Sequence, residues 1–178
     1  MDTDLDIEQD FEIPQKPYDH GLRKDSAPAK SIPYGPGGFT VDTVLSGDLT
    51  QISDANAALP TDDGKSWPEK MTFYLEFCHP EYNTPVHRKQ RRVLETKGAF
   101  AMRAAEEIQA MLAELPQFPF RLDQIKVVSI AICSRGTVQP RLFVNGFMLP
   151  PETLTNLVSH SSRHQDSTAW RRGCTGRV

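Results

Sequence analysis

The basic run HRKQRR, residues 87–92, is the strongest chemical signal in the chain. Residues 87–103 contain six Lys or Arg residues and a single acid, Glu95. Guanidinium and ammonium groups that share a surface bind phosphate through charge-assisted hydrogen bonds. The residue types therefore predict an anion or nucleic-acid site. Its candidate residues are His87, Arg88, Lys89, Arg91, Arg92, Lys97, Arg103 and, from a later turn, Arg135.

A helix is expected to position this run. Thr84 and Pro85 are typical of a helix cap and first turn, and apolar residues then recur near a 3.6-residue period until Pro116 ends the pattern. The sequence thus predicts a helix over 85–115 with the basic residues in its opening turns. Backbone amides are unpaired there, so the helix start and the guanidinium groups are expected to hold a phosphate together.

A second interpretation of the basic run stays open. On a helix, Arg91 and Arg92 lie about one turn before Glu95, which is the spacing of an ion pair. Exposed ion pairs contribute little, and a solvated basic face needs no ligand. The run also fits a simple nuclear-import pattern.

Other chemistry has weaker support in the sequence. Several residues have side chains of the kind that bind zinc: Cys78, His79, His87, Cys133, His160, His164 and Cys174. No Cys-x-x-Cys pair or finger-like spacing joins them, so neither a metal nor a cofactor is predicted. The paired glutamates Glu106 and Glu107 are predicted to form the solvated face of the long helix.

An enzyme is the alternative to a binding protein. The sequence contains no Walker loop, dinucleotide-binding glycine motif, nucleophile elbow or zinc-protease motif. A catalytic site is therefore expected only if separated residues come together in the fold. The candidates are Cys78, His79, Glu76 and Arg135.

Composition limits the class of protein. Twenty basic and twenty-three acidic residues give a net charge of -3, so any affinity for a polyanion must be local. No stretch approaches the ~20 apolar residues of a membrane helix, and the N-terminus is acidic, unlike a secretory signal. Three widely separated cysteines predict reduced thiols and an intracellular protein, cytoplasmic or nuclear.

Three segments are predicted along the chain. Residues 1–38 combine an acidic start with five prolines and few large apolar residues, which predicts a disordered arm that engages protein partners. Residues 39–160 carry the regular patterns of a single core domain. Residues 161–178 are expected to form a flexible basic tail.

The patterns of the core predict an α+β domain. FTVDTVLSG, from residue 39, and MTFYLEF, residues 71–77, alternate as half-buried strands, and QIKVVSIAIC, residues 124–133, is typical of a central strand. A turn at SRGT leads into VQPRLFV, where Pro140 favours an edge strand or a bulge. A short helix is expected after Pro150. The order predicts two layers, with one long and one short helix on one face of a mostly antiparallel sheet of about four strands.

In organisation, the chain resembles small matrix proteins of negative-strand RNA viruses and other small viral nucleic-acid-binding proteins. The shared features are a proline-containing arm, a compact α+β core, a local basic patch and the absence of a catalytic motif. Ile32-Pro33-Tyr34 departs from the Pro-Pro-x-Tyr motif of some matrix proteins, and the arm is acidic where several of theirs are lysine-rich.

The expected function is therefore a non-enzymatic binding or assembly protein. Its partners are predicted to be a nucleic acid or an anionic membrane, proteins held by the arm, and further copies of itself. A purely structural module, in which the basic run serves only solubility, is the third hypothesis.

Overall fold

The computed structural model describes residues 10–18, 30–60, 67–78, 86–134 and 136–145. These residues form a mixed sheet of seven strands and two α-helices. The strands are β1 (Phe11–Glu12), β2 (Ser31–Pro33), β3 (Phe39–Thr40), β4 (Lys70–Leu75), β5 (His87–Arg92), β6 (Ile125–Ser134) and β7 (Thr137–Val144); the helices are α1 (Val41–Leu45) and α2 (Lys97–Ala113). The predicted α+β class is confirmed. The sheet is larger than predicted, and it is mixed.

The sheet is organised around the antiparallel hairpin of β6 and β7, as the sequence predicts. The strand order is β2-β6-β7-β4-β5, with β1 also pairing β7 and β3 also pairing β6. β4 joins β7 in parallel, with Thr72 opposite Thr137. β5 pairs with β4 in the antiparallel sense and ends the order, so β5 is an edge strand of the described sheet.

The predicted alternation of MTFYLEF is confirmed in β4 and the residues after it. Met71, Phe73, Leu75 and Phe77 are all buried. α2 packs on this face, where the Phe73 and Phe100 ring centroids lie 5.4 Å apart. The apolar side chains of two elements thus form one core, which is the principal source of stability in such a layered domain.

The predicted helix over 85–115 is wrong in its first part. HRKQRR forms β5, and all six of its residues pair with β4. α2 begins at Lys97, where the Thr96 hydroxyl caps it by accepting a hydrogen bond from the Ala99 amide at 3.3 Å. The basic run has no apolar residue to anchor a helix to the core, whereas pairing with β4 satisfies its backbone on one side. Thr84 and Pro85 lie outside the described residues.

The prediction of a disordered arm over 1–38 is wrong for residues 10–18 and 30–38. Ile13, Ile32 and Tyr34 are only 2%, 0% and 1% exposed. β2 pairs with β6 at the end of the sheet opposite β5, where Pro33 is tolerated because an edge strand has an unpaired side. The few apolar residues of this segment are therefore enough to fix it, because the sheet supplies the rest of the packing surface.

Two smaller predictions also differ from the structure. FTVDTVLSG forms the two-residue strand β3 and then α1, because Val41 and Val44 are buried at helical spacing. β7 is flanked by strands on both sides, so Pro140 does not mark an edge strand. The other predicted possibility, a bulge, agrees with the register shifts of the β6–β7 pairing on either side of the Ile130–Pro140 pair. The Gln15 side-chain amide donates to the Pro140 carbonyl at 2.7 Å. The helix expected after Pro150 and the tail over 161–178 lie outside the described residues.

Candidate polyanion-binding edge

β5 presents two opposite faces because successive side chains of a strand alternate. Its register with β4 places Arg91 opposite the buried Met71 and Arg92 opposite the exposed Lys70. The side chains that face α2 are those of His87, Lys89 and Arg91. Those on the other face are Arg88, Gln90 and Arg92.

Glu107 of α2 pairs with two of the basic residues that face the helix. Its Oε2 lies 3.1 Å from Nε2 of His87, and its Oε1 accepts a hydrogen bond from Nε of Arg91. The side chains of Glu107 and His87 are 2% and 4% exposed, and that of Arg91 is 39% exposed. A carboxylate only accepts hydrogen bonds, so Nε2 of His87 carries the proton. His87 and Arg91 therefore connect β5 to α2, and both side chains are paired with an acid of the same fold.

The sequence prediction missed the role of Glu107, and its assignment to a solvated face is wrong. Glu106 does lie toward solvent, with a side chain 44% exposed that pairs with Arg103 at 2.7 Å. Glu107, however, lies three residues after Ala104 and four before Met111, both of which are buried. The sequence did contain a signal of this role: Glu107 lies within the apolar stripe of the helix, and a carboxylate there needs a buried partner.

The remaining side chains of β5 are exposed at the edge of the sheet, with Lys89 on the face toward α2 and the other three on the opposite face. Arg88, Lys89, Gln90 and Arg92 are all exposed, and the exposed Lys70 lies beside Arg92. Neither Lys89, Arg92 nor Lys70 makes an ion pair with an acid of the described ranges. We call this set, Lys70, Arg88, Lys89 and Arg92, the basic edge.

Aromatic side chains support one end of the basic edge. The Arg88 guanidinium lies 5.9 Å from the centre of the Tyr18 ring, and the Tyr18 and Tyr74 centroids lie 5.0 Å apart. Tyr74 donates to Glu76, and burial, followed by this hydrogen bond, raises the pKa of the Tyr74 phenol. Tyr74 thus lies opposite Arg88 as a neutral, mostly buried group.

Two predicted site residues have other partners. Lys97 donates to the Ser53 carbonyl at 3.1 Å and lies 5.5 Å from the centre of the Tyr34 ring. Arg103 is paired with Glu106. Arg135 lies outside the described residues. The structure therefore places Arg88 and Arg92 on one face of β5 and Lys89 on the other, with all three exposed, and it adds Lys70, which the sequence prediction did not include.

The alternative catalytic site does not assemble within the described residues. Cys78 is disulfide-bonded, so the prediction of reduced thiols is wrong for this residue. Cys133 is a free thiol, and burial raises the pKa of Cys133 to about 11, so it is protonated at neutral pH. Glu76 is paired with Lys16 at 3.2 Å, and His79 and Arg135 fall outside the described ranges.

Two further absences hold for the part of the chain that the structure describes. No three His, Cys, Asp or Glu side chains there come together as metal ligands. No helix there is long and apolar enough to cross a membrane.

A small cavity of about 160 Å³ opens beside the start of β5. It is lined by Val86, His87, Arg88, Lys89, Met111, Glu114 and Leu115. Pockets for small organic ligands are larger, roughly 300–1,000 Å³. The cavity has the size of one side chain, and its neighbour Val86 is 48% exposed although apolar.

Comparison with known proteins gave no match: no family model, curated protein or solved structure is significantly similar to this chain. Function must therefore be argued from the geometry of β5 and its surroundings.

Proposed function

We propose that this protein is a non-enzymatic binding protein that holds a nucleic acid on the basic edge. The observation that carries the proposal is the division of the basic run into two sets. Glu107 takes up His87 and Arg91, whereas Arg88, Lys89 and Arg92 are exposed to solvent. Lys89 and Arg92 thus carry positive charge that no acid of the described residues pairs with.

The geometry of a strand suits a linear polyanion. Side chains two residues apart lie about 6.6–6.8 Å from one another on the same face, so Arg88 and Arg92 present charge along a line about 13 Å long. Lys70 lies beside Arg92 on the neighbouring strand and widens this row. Contacts of this kind read phosphates and not bases, so the predicted binding is sensitive to salt and largely indifferent to sequence.

The solvated-face interpretation makes the opposite prediction. Charged residues on an edge strand prevent unwanted pairing with other sheets and need no ligand for that role. A protein of this kind has a net charge of -3 and should show no measurable affinity for nucleic acid at moderate salt. Binding data therefore distinguish the two interpretations directly.

The test is a salt titration of binding to short labelled RNA and DNA, with anionic vesicles in parallel. A triple variant removes three charges of the basic edge, and a control removes three exposed charges elsewhere. The variants are Arg88→Gln/Lys89→Gln/Arg92→Gln and Lys16→Gln/Arg121→Gln/Arg141→Gln. The first should weaken nucleic-acid binding at least about tenfold and reduce the salt slope by about 2, at ~0.7 per lost contact with a single strand.

The control variant should bind within about threefold of the natural chain, since each of its three cations is already paired with an acid of the fold. Equal affinities of the natural chain and the basic-edge variant would refute the proposal. Binding to vesicles without binding to nucleic acid would also contradict it.

A further inference from the structure

Part of the β5 backbone points its hydrogen-bonding groups away from the sheet. Thr72 of β4 lies opposite Gln90, but the Thr72 amide donates to the Gly136 carbonyl at 2.8 Å, on the side of β7. The pair of Thr72 and Gln90 is therefore one of the non-hydrogen-bonded pairs of the antiparallel ladder. Gln90 and, two residues later, Arg92 thus direct their amide and carbonyl groups outward. No backbone hydrogen bond from another described residue reaches these groups.

Cations flank these outward groups on both faces of the sheet. Lys89 is exposed on the face toward α2, and Arg92 and Lys70 are exposed on the opposite face. None of the three makes an ion pair with an acid of the described ranges. Arg88 is engaged by the Tyr18 ring and is not part of this set. The edge therefore attracts a strand that carries acids on both of its faces.

An apolar site lies at the start of the same edge. Val86, directly before β5, is the one large apolar residue that is exposed among those the structure describes. The cavity of about 160 Å³ opens beside it, and its apolar lining includes Met111 and Leu115. Glu114, which is exposed, also lines the cavity and favours an uncharged occupant over an acid. The cavity therefore fits one aliphatic side chain from outside this fold.

We propose that β5 binds an acidic, extended segment of a partner protein, which adds to the sheet as a further strand. Its backbone pairs with Gln90 and Arg92, its acids lie beside Lys89 and Arg92, and one apolar side chain enters the cavity. In this mode of recognition, main-chain hydrogen bonds supply affinity and pockets for alternate side chains supply specificity. Like charges keep two copies of β5 apart, so the edge selects an acidic strand. This binding needs no nucleic acid, although it occurs at the same surface.

The register of the added strand follows from the two faces of β5. The antiparallel direction is favoured, because its hydrogen bonds are slightly more stable per residue. Side chains opposite Arg92 and Gln90 turn to the outer face, and those opposite Lys89 and His87 turn toward α2. The segment therefore has an acid opposite Arg92 and a second acid three residues later, opposite Lys89. An apolar residue follows two positions further on, opposite His87 and beside the cavity.

The first test uses a synthetic peptide with this register, acetyl-Glu-Thr-Thr-Glu-Thr-Leu-Thr-amide. It is titrated at low salt into the full, isotope-labelled chain, and backbone amide signals are followed by NMR. The signals of Gln90 and Arg92 should shift with a Kd below about 0.5 mM. Peptides with Lys in place of both Glu residues, or with Ser in place of Leu, should bind at least about tenfold more weakly. Unchanged signals of Gln90 and Arg92 at about 2 mM peptide would overturn the proposal.

The second test separates strand addition from simple attraction between charges. The amide of the third peptide residue, opposite Gln90, points toward β5, whereas the amide of the fourth, opposite Lys89, points away from it. N-methylation of the third amide should weaken binding at least about tenfold, because it leaves a backbone carbonyl of β5 without its donor. N-methylation of the fourth should weaken it less than about threefold, although both peptides carry the same charge. Equal losses in the two peptides would contradict strand addition.

Variants of the protein complete the test. Lys89→Gln/Arg92→Gln should weaken peptide binding at least about tenfold, and the control Lys16→Gln/Arg121→Gln, whose cations are already paired, should bind within about twofold of the natural chain. The RNA affinity of the natural chain is measured in parallel. Salt-dependent binding of RNA without binding of the peptide would overturn strand addition and leave the proposed function standing. Binding of the peptide without binding of RNA would do the opposite.

Discussion

Oε2 of Glu107 lies 3.1 Å from Nε2 of His87, and both side chains are almost fully buried between α2 and β5. This contact fixes the register of the edge strand. A slip by one residue would turn His87 and Arg91 to the opposite face and leave the Glu107 carboxylate without partners. The outward position of Arg88 and Arg92 therefore depends on an acid in the helix.

Glu107→Ala should destabilise the fold by about 2–4 kcal/mol, because it leaves His87 buried without its partner and removes the ion pair of Arg91. Urea unfolding measures the effect. Glu106→Ala is the matched control, since its side chain is 44% exposed, and it should cost less than about 0.5 kcal/mol. Similar losses of unfolding free energy in the two variants would show that the buried contact between Glu107 and His87 does not stabilise the fold.

Much of the fold could be predicted from the sequence, but the position of the basic run could not. The alternation in MTFYLEF and the β-branched run in β6 report burial directly, and both predictions are confirmed. HRKQRR has no apolar residue, so neither period is visible in it, and its strand form depends on pairing with β4. Helix propensity and capping residues report only on the local sequence, whereas an edge strand such as β5 forms because it pairs with a neighbouring strand. Glu107 was missed for the same reason, since its partners lie about twenty residues away.

Gly38→Ala should destabilise the protein by more than about 2 kcal/mol. Gly38 has φ +63°, and an added Cβ would lie 2.4 Å from the Val127 carbonyl oxygen. Gly37 is the neighbouring control, because an added Cβ there meets nothing within 4 Å. Gly37→Ala should be neutral or slightly stabilising in the same denaturation experiment. Equal effects at both positions would indicate a different backbone at this turn.

Tyr34→Phe should be neutral or stabilise the fold by up to about 1 kcal/mol at pH 7. The Tyr34 hydroxyl is buried with no hydrogen-bond partner in the described structure, so removing it relieves a desolvation cost. Burial also raises the pKa of Tyr34, so the folded state favours the neutral phenol and loses stability as the pH rises above about 10. The Tyr34→Phe variant should therefore lose less stability at alkaline pH than the natural chain does. A clear loss of stability at pH 7 would reveal a hydrogen bond to this hydroxyl.

Cys133 should react slowly with iodoacetamide in the folded protein. Burial raises its pKa from 9.0 to about 11, so the thiolate fraction near neutral pH is roughly a hundredfold lower than for an ordinary thiol. The measurement is the alkylation rate of Cys133 between pH 7 and pH 10, with the urea-unfolded chain as control. A folded-state rate equal to that of the unfolded chain would contradict the burial of this thiol.

The most direct test of the basic edge compares two adjacent arginines on opposite faces of β5, of which Arg91 is paired with Glu107 and Arg92 is exposed. Arg92→Gln and Arg91→Gln make the same chemical change, and both RNA affinity and urea stability are measured for each. Arg92→Gln should weaken RNA binding about three- to tenfold with a change in stability below about 0.5 kcal/mol. Arg91→Gln should cost about 1–2 kcal/mol of stability and affect RNA binding less, because Arg91 is held by Glu107. Equal loss of RNA affinity in the two variants, or none in Arg92→Gln, would contradict the central claim that the outward face of β5 binds the polyanion.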